Sequence, residues 1–291
     1  MQITLDEIER HAPDVLLPPD PEFAEEYARR VELGRRIASR STVAMVAICR
    51  NAMPWLPRTL NLVERTGAMF RDWASFIFEN DSEDATRDVL KEWNDNGRRS
   101  VSLNINHRPH LSHTIAEERT VALAEYRSEC QWWVRHRDPV DYVIVFDTDP
   151  WGGWSIDGIA DSLYWLGDAR SPCYGEAAMA SYSWGEVLAG EQRFAMHYDA
   201  FAARLNHWHR RDQNWFHHWH PAVGSPPVRF NSAFGQLAVY RWRDYVQGQY
   251  DGSDCEHVTF HRSLGRRVFL NPSSRCVSFW VPEHGGQHGD D

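Results

Sequence analysis

The sequence has no phosphate-binding loop of the form G-x-x-x-x-G-K-[ST] and no G-x-G-x-x-G after its first strand-like run, which argues against P-loop kinases and NAD-type dehydrogenases. No apolar stretch approaches the ~20 residues needed to span a bilayer. Basic residues are not in excess: the formal net charge is -10, so there is no global electrostatic footprint for nucleic acid. The cysteines, Cys49, Cys130, Cys173, Cys255 and Cys276, are odd in number and show neither a zinc-knuckle spacing nor a disulfide framework. Such usage suits a reducing compartment. The N-terminal "MQITLDEIERHAPD" is too acidic and polar for a signal peptide. No internal repeat is present. These absences lead to the expectation of a soluble, cytoplasmic protein.

What is present is a chain of 291 residues with 42% hydrophobic residues, enough to bury a sizeable core, and 14 tryptophans, many between Trp132 and Trp242. Such rings suit apolar packing, and also stacking on sugars or bases. Residues 1–40 read as an N-terminal helical extension, because "PEFAEEYARRVELGRRIASR" carries acids early and bases late, as a helix dipole favours. Strand and helix patterns then alternate. "TVAMVAICRN", "WASFIFEND", "SVSLNIN" and "DYVIVFD" read as strands. Between and after them, "PWLPRTLNLVERTGAMF", a segment capped by Ser82, "IAEERTVALAEYRSECQWWVRHR" and "IDGIADSLYWL" capped by Ser155 read as helices. This order predicts an α/β fold, a Rossmann-type, mainly parallel sheet flanked by helices, with ligands at the carboxyl ends of the strands. Asn51, Asp81 and Asp147 fall at those ends. Residues 41–170 form the first half of this domain. Residues 171–280 are expected to form an aromatic-rich second half of short strands and loops closing over the ligand, and residues 281–291 a disordered tail.

Asp147 and Asp149 follow the fourth strand. Two hard carboxylates there suit Mg2+ or Mn2+ with phosphate oxygens and water, although an acidic turn is the other reading of a lone D-x-D. Without a phosphate loop, a phosphate ligand must be held through metal and side chains. Arg119 and Arg127, two turns apart on one helix, are candidates for that task or members of a solvated face. "DCEHVTFHRSL" places Glu256, His257 and His261 at a helix start, with the histidines four apart on one face. Glu256 is a candidate general base and the histidines are candidate metal or phosphate ligands. The alternative is a capped helix with Asp254 as cap and histidines packed on aromatics. "HWHRRDQNWFHHWH" lacks the spacing of a metal cluster and reads as a lid segment, in which Trp208, Trp215 or Trp219 offers a stacking face. Phe234 and Gly235, before the apolar run "QLAVY", join Trp215 and Trp219 as candidate acceptor contacts.

The ordered segments "VAICRN", "FIFENDSEDAT", "RTVALAEYRSE", "DYVIVFDTDPWGGWSIDGI", "NSAFGQLAVY" and "DCEHVTFH" resemble metal-dependent GT-A fold glycosyltransferases, particularly capsule-associated mannosyltransferases and related bacterial and phage enzymes. The resemblance spans roughly residues 43–271. It implies that Cys49, Arg50 and Asp81 hold the nucleoside. It implies that Asp147 and Asp149 hold a divalent metal and the diphosphate of a UDP- or GDP-sugar. Glu256 would face the acceptor, and His257 or His261 would reach the metal or diphosphate. Ser128 departs from the family pattern. "PWGGWS" then reads as the floor beneath the sugar, lined by Trp154, with Gly152 and Gly153 leaving room. The acceptor expected is a hydroxyl of a glycan, a protein or a hydroxylated DNA base. The cellular setting is the cytoplasm, a host's if the chain is phage-encoded. A nucleotidyltransferase on a similar sheet and a non-catalytic sugar or nucleic-acid binding module are the alternatives.

Overall fold

A computed structural model of the chain describes residues 3–108, 116–206, 208 and 214–283. Three helices come first: α1 (Leu5–Arg10), α2 (Pro13–Leu16) and α3 (Ala24–Ala38). In α3, Glu25 and Glu26 occupy the first turn and Arg35 and Arg36 the last, the arrangement the helix dipole favours. The alternating units follow as β1 (Thr42–Cys49), α4 (Leu56–Gly67), β2 (Asp72–Asn80), α5 (Thr86–Trp93), β3 (Arg99–Asn104), α6 (Glu117–Arg135) and β4 (Tyr142–Asp147). β1 and β4 are almost wholly buried, which explains their unbroken apolar runs. Pro57 sits in the first turn of α4, where its missing N–H costs nothing.

Next come β5 (Gly153–Trp154), α7 (Ile156–Gly167), β6 (Ala178–Ala189), β7 (Gln192–His197) and a short 3-10 turn at Asn214–His218. The chain continues through β8 (Val228–Phe230), β9 (Leu237–Arg241), α8 (Trp242–Tyr245), α9 (Glu256–Leu264) and β10 (Val268–Phe279). The sheet runs β3-β2-β1-β4-β9-β6-β10-β5, with β7 paired to β6 and β8 to β10. β3, β2, β1 and β4 are mutually parallel; β9 enters antiparallel to both β4 and β6; β10 runs parallel to β6. The expected α/β sheet flanked by helices is therefore what the chain forms.

The second half differs from its expectation. β6 and β10 are each 12 residues long and extend the same sheet, rather than forming short strands over it. β10 tolerates Pro272 because its register with β6 shifts between Asn271 and Arg275, where no ladder bond is required. Two capping expectations also change. Ser82 does not cap α5, whose N-cap is Ala85; its hydroxyl instead accepts from Asn51 N at 3.0 Å. Asp254 precedes the N-cap of α9, Cys255, and accepts from the Cys255 N–H.

Ser155 caps α7, accepting from Gly158 N at 2.9 Å while its hydroxyl donates to Asp14. Ser155→Ala is expected to cost about 1 kcal/mol, read from the midpoint of a urea melt with unchanged slope. The N-terminal helices are tied to the body. Arg30 pairs with the buried Asp161 at 2.7 Å and donates to Gly224 O at 2.7 Å, and Asn271 Nδ2 donates to the second Asp161 oxygen at 3.0 Å. Beyond β10, Trp280 Nε1 and Glu283 N both donate to Glu7 Oε1 at 3.3 Å, and His11 stacks on Trp280 at 4.3 Å. Of the expected tail, residues 284–291 lie outside the described residues. Among those described, no helix is long and apolar enough to cross a membrane.

Candidate active site

The parallel register sets Ile48 of β1 against Asp147 of β4 and Cys49 against Glu79 of β2, so the loops leaving these strands emerge side by side. Asn51 and Asp81 adopt left-handed backbones at φ 47° and 53°, which Asn and Asp tolerate because their short polar side chains bond locally. Asn51 Oδ1 accepts from Glu83 N at 2.8 Å. Asp81 accepts from Asn106 N at 2.7 Å, His107 N at 3.0 Å and Arg108 N at 3.3 Å. Arg50 donates to Arg108 O at 3.1 Å. These three polar residues lace the loops together and hold their backbone in place. Cys49 is buried and its thiol is pushed up to about 12, chiefly by that burial, so it presents no reactive thiolate.

Asp147 is half-buried. Arg127 of α6 donates to its Oδ1 at 2.6 Å, and the guanidinium lies over the Phe234 ring at 5.3 Å. Burial raises the Asp147 carboxyl and Arg127 opposes the rise. Asp149 is exposed and has no cationic partner among the described residues. Dense protein around the cleft floor, and next the Asp147 charge, push its carboxyl up to about 6. Because water reaches Asp149, the Asp147 repulsion is the cause that a bound cation would reverse. Arg119, one of the two arginines predicted to face this region, contributes a favourable field at Asp147, Asp149 and Glu256. Arg127 is thus brought into contact with Asp147, and Arg119 acts on these carboxylates only as a more distant charge.

Glu256 opens α9 almost fully buried, with Oε1 4.0 Å from Arg127 Nε and 3.5 Å from His257 Nε2. It is a structural counter-charge to Arg127 more than a group open to a ligand. His257 stacks face to face on Phe234 at 3.6 Å, and burial, then Arg127, holds its pKa well below the usual value. His261 is engaged at both nitrogens, by Ser232 Oγ at 2.9 Å and Tyr240 OH at 2.8 Å, so it has no lone pair left for a metal. Its place in the metal set is corrected accordingly.

Several other expectations change in the same way. Trp154 is buried, donating to Thr66 Oγ1 at 3.0 Å and packing on Phe146, so it lines the core and not a sugar. A side chain at Gly152 would strike His11 O and Val277, and one at Gly153 would strike Leu62, so these glycines make room for the protein's own packing. Trp219 packs against Phe230 and Tyr182, and Trp208 lies under the Arg262 guanidinium. The side chain of Trp215 lies outside the described residues. Phe234 is buried between Arg127 and His257. Gly235, at φ 65°, abuts Ser181 O, and its N–H donates to Asp199 Oδ2 at 2.8 Å.

Asp199 is the residue that sequence reading missed. It follows β7, is partly exposed, and its carboxyl is pushed up to about 7, chiefly by burial and then by Asp147 and Glu256. Burial, and then the charges of Asp149, Asp199 and Asp147, push up the hydroxyl of its neighbour Tyr198, so the β7 exit shares the acidic field of the β4 end. No motif announces it, because the partner that orients it is 36 positions away.

A divalent cation fits this donor set. Two hard carboxylates follow one another at the end of β4, and one of them, Asp149, is exposed and makes no ion pair among the described residues. Among the described residues no three His, Cys, Asp or Glu side chains converge on one point. The protein would therefore supply Asp149 and Asp147, with ligand oxygens and water completing the coordination.

Compared by sequence, the chain matches no family model and no curated protein. Compared by structure, it is similar to a mannosyltransferase from Pyrobaculum calidifontis, PcManGT in complex with GDP-Man and Mn2+, at 15% identity and a TM-score of 0.45 over 91% of this chain and 68% of that one. It is also similar to GalNAc-T7 with UDP, GalNAc and Mn2+, at 13% identity and a TM-score of 0.48 over 92% of this chain and 54% of that one. A third similar structure is S. aureus TarS 1-349, at 9% identity and a TM-score of 0.47 over 82% of this chain and 60% of that one. The chain thus spans between 54% and 68% of the length of these proteins.

Proposed function

We propose that the protein is a metal-dependent glycosyltransferase that moves a sugar from a UDP- or GDP-linked donor to an acceptor hydroxyl of a glycan, a protein or a hydroxylated DNA base. The observation that carries this reading is Asp149, an accessible carboxylate without a cation, standing beside the arginine-held Asp147 at the carboxyl end of β4. In a cleft without a phosphate loop, that pair calls for a divalent ion to receive a diphosphate. Mn2+ or Mg2+ there would act as a Lewis acid on the leaving diphosphate. The chain's own residues do the rest. Arg127 keeps Asp147 ionised and aimed, Glu256 balances Arg127, and Arg119 offers positive charge at the cleft. Asn51, Asp81 and Arg50 hold the three loops that would frame the nucleoside.

A thermal-shift screen of UDP-sugars, GDP-sugars and nucleoside triphosphates, with and without Mn2+, tests the reading. One nucleotide-sugar class should raise the Tm by several degrees only with Mn2+, and turnover should release free UDP or GDP. Release of pyrophosphate from a triphosphate would instead assign nucleotidyl transfer. Absence of binding to Mn2+ and to every nucleotide would assign a non-catalytic module.

A further inference from the structure

Two carboxylates compete for the part of general base in this cleft, and their surroundings separate them. Glu256 is enclosed, with Arg127 and His257 within 4.0 Å of the same oxygen. Glu256 is only 5% exposed, so an acceptor hydroxyl has no open path to its carboxylate. Asp199 is oriented differently. Gly235 N–H fixes Oδ2 at 2.8 Å, and the Asp199 N–H is itself anchored on Ser183 Oγ at 2.9 Å. No Arg, Lys or His pairs with this carboxylate among the described residues, and the residue is partly exposed. The groups that face it are Asp147 from β4 and Glu256 from α9, both acidic. Beside it stands Tyr198, 39% exposed and edge-on to Phe279, a ring surface suited to the apolar face of a sugar.

We propose that Asp199, not Glu256, is the general base of the transfer, a reading that rests on the glycosyltransferase function above. The acceptor hydroxyl gives its proton to the Asp199 carboxylate as its oxygen bonds to the anomeric carbon of the donor. The bond from that carbon to the diphosphate breaks, and its electron pair leaves on the diphosphate. Asp199 then releases the proton to water. A single displacement of this kind inverts the anomeric configuration.

Water serves as the acceptor in the test. Hydrolysis of UDP-glucose, UDP-N-acetylglucosamine and GDP-mannose with Mn2+ is followed from pH 5.5 to 9, and proton NMR reads the first-formed sugar. Wild-type kcat should rise through an inflection as the pH increases and give the inverted anomer. Asp199→Asn, which keeps an acceptor for Gly235 N–H, should lower kcat about 100-fold and remove that inflection. Its donor KM should stay within about threefold and its Tm should not fall, and Asp199→Glu should restore part of the rate. Any contribution from Asp149 persists in both profiles, so their difference isolates Asp199. Unchanged kcat in Asp199→Asn, loss of the inflection in Glu256→Gln alone, or a retained anomer overturns the assignment of the base while leaving glycosyl transfer intact. A wild type that neither binds nor cleaves any donor overturns the glycosyltransferase reading, and the base with it.

Discussion

Asp149→Ala is expected to lower donor turnover by about 10³-fold or more while leaving the fold intact. Lewis-acid stabilisation of a leaving diphosphate is worth several kcal/mol, and removing the uncompensated ligand forfeits most of it. The stability side of the prediction follows from the surroundings of Asp149. The side chain is exposed and holds nothing among the described residues, and its carboxyl is raised to about 6 by its setting in the cleft and the Asp147 charge. Deleting it relieves repulsion, so at pH 8 the variant should be as stable as the wild type within about 0.5 kcal/mol, or slightly more stable. Loss of activity without loss of stability separates a ligand site from an acidic turn. Retention of full, EDTA-insensitive activity would refute the metal grip.

Arg127→Met should have the largest effect on stability. The change removes the cation between Asp147, 2.6 Å from Nη2, and Glu256, 4.0 Å from Nε, and keeps the aliphatic packing against Phe234. Breaking a buried pair strands its partner, at a cost of about 3–5 kcal/mol; with Asp147 part-open to solvent, the lower end applies. The loss should depend on pH. Without Arg127, both carboxyls, already raised by burial, rise further above their unfolded values. The native state then binds more protons than the unfolded state, so stability is retained below the unfolded pKa and lost as pH rises through the folded one. Guanidinium melts at pH 5 and pH 8 should therefore show a larger deficit at pH 8. A small, pH-independent deficit would show that Arg127 does not compensate these carboxylates. Donor turnover should fall as well, since Asp147 loses its orientation.

The parts of the fold legible in the sequence were those with a local period. The four strand–helix units and the Ser155 cap were readable because apolar runs, a cap residue and an acidic first turn lie within a few positions of one another. β6 was not, because "AMASYSWG" buries small and polar residues on both faces and shows no strand alternation. β10 was hidden by Asn271, Pro272 and two serines in a strand whose register shift makes them acceptable. Around the site, the place of Asp147 at the end of β4 and of Arg119 and Arg127 on α6 was legible from the apolar run and the helical spacing. The histidines were not separable, because only Ser232 and Tyr240, distant in sequence, reveal that His261 is fully bonded. The tryptophans misled for a related reason: a ring looks the same in sequence whether a ligand covers it or, as for Trp154, the core does.

The contacts of Glu7 with Trp280 and Glu283 bear on the order in which the chain is assembled. The α1 segment emerges from the ribosome well before β10, yet its docking surface includes residues made more than 270 positions later. Pairings this distant in sequence close late, because loop entropy must be overcome before they contribute. α1 and its neighbour His11 must therefore wait, undocked, while the parallel strands β1 to β4 assemble. The outer segments then lock only after β10 has joined the sheet beside β6, so a segment synthesised early is among the last to find its place.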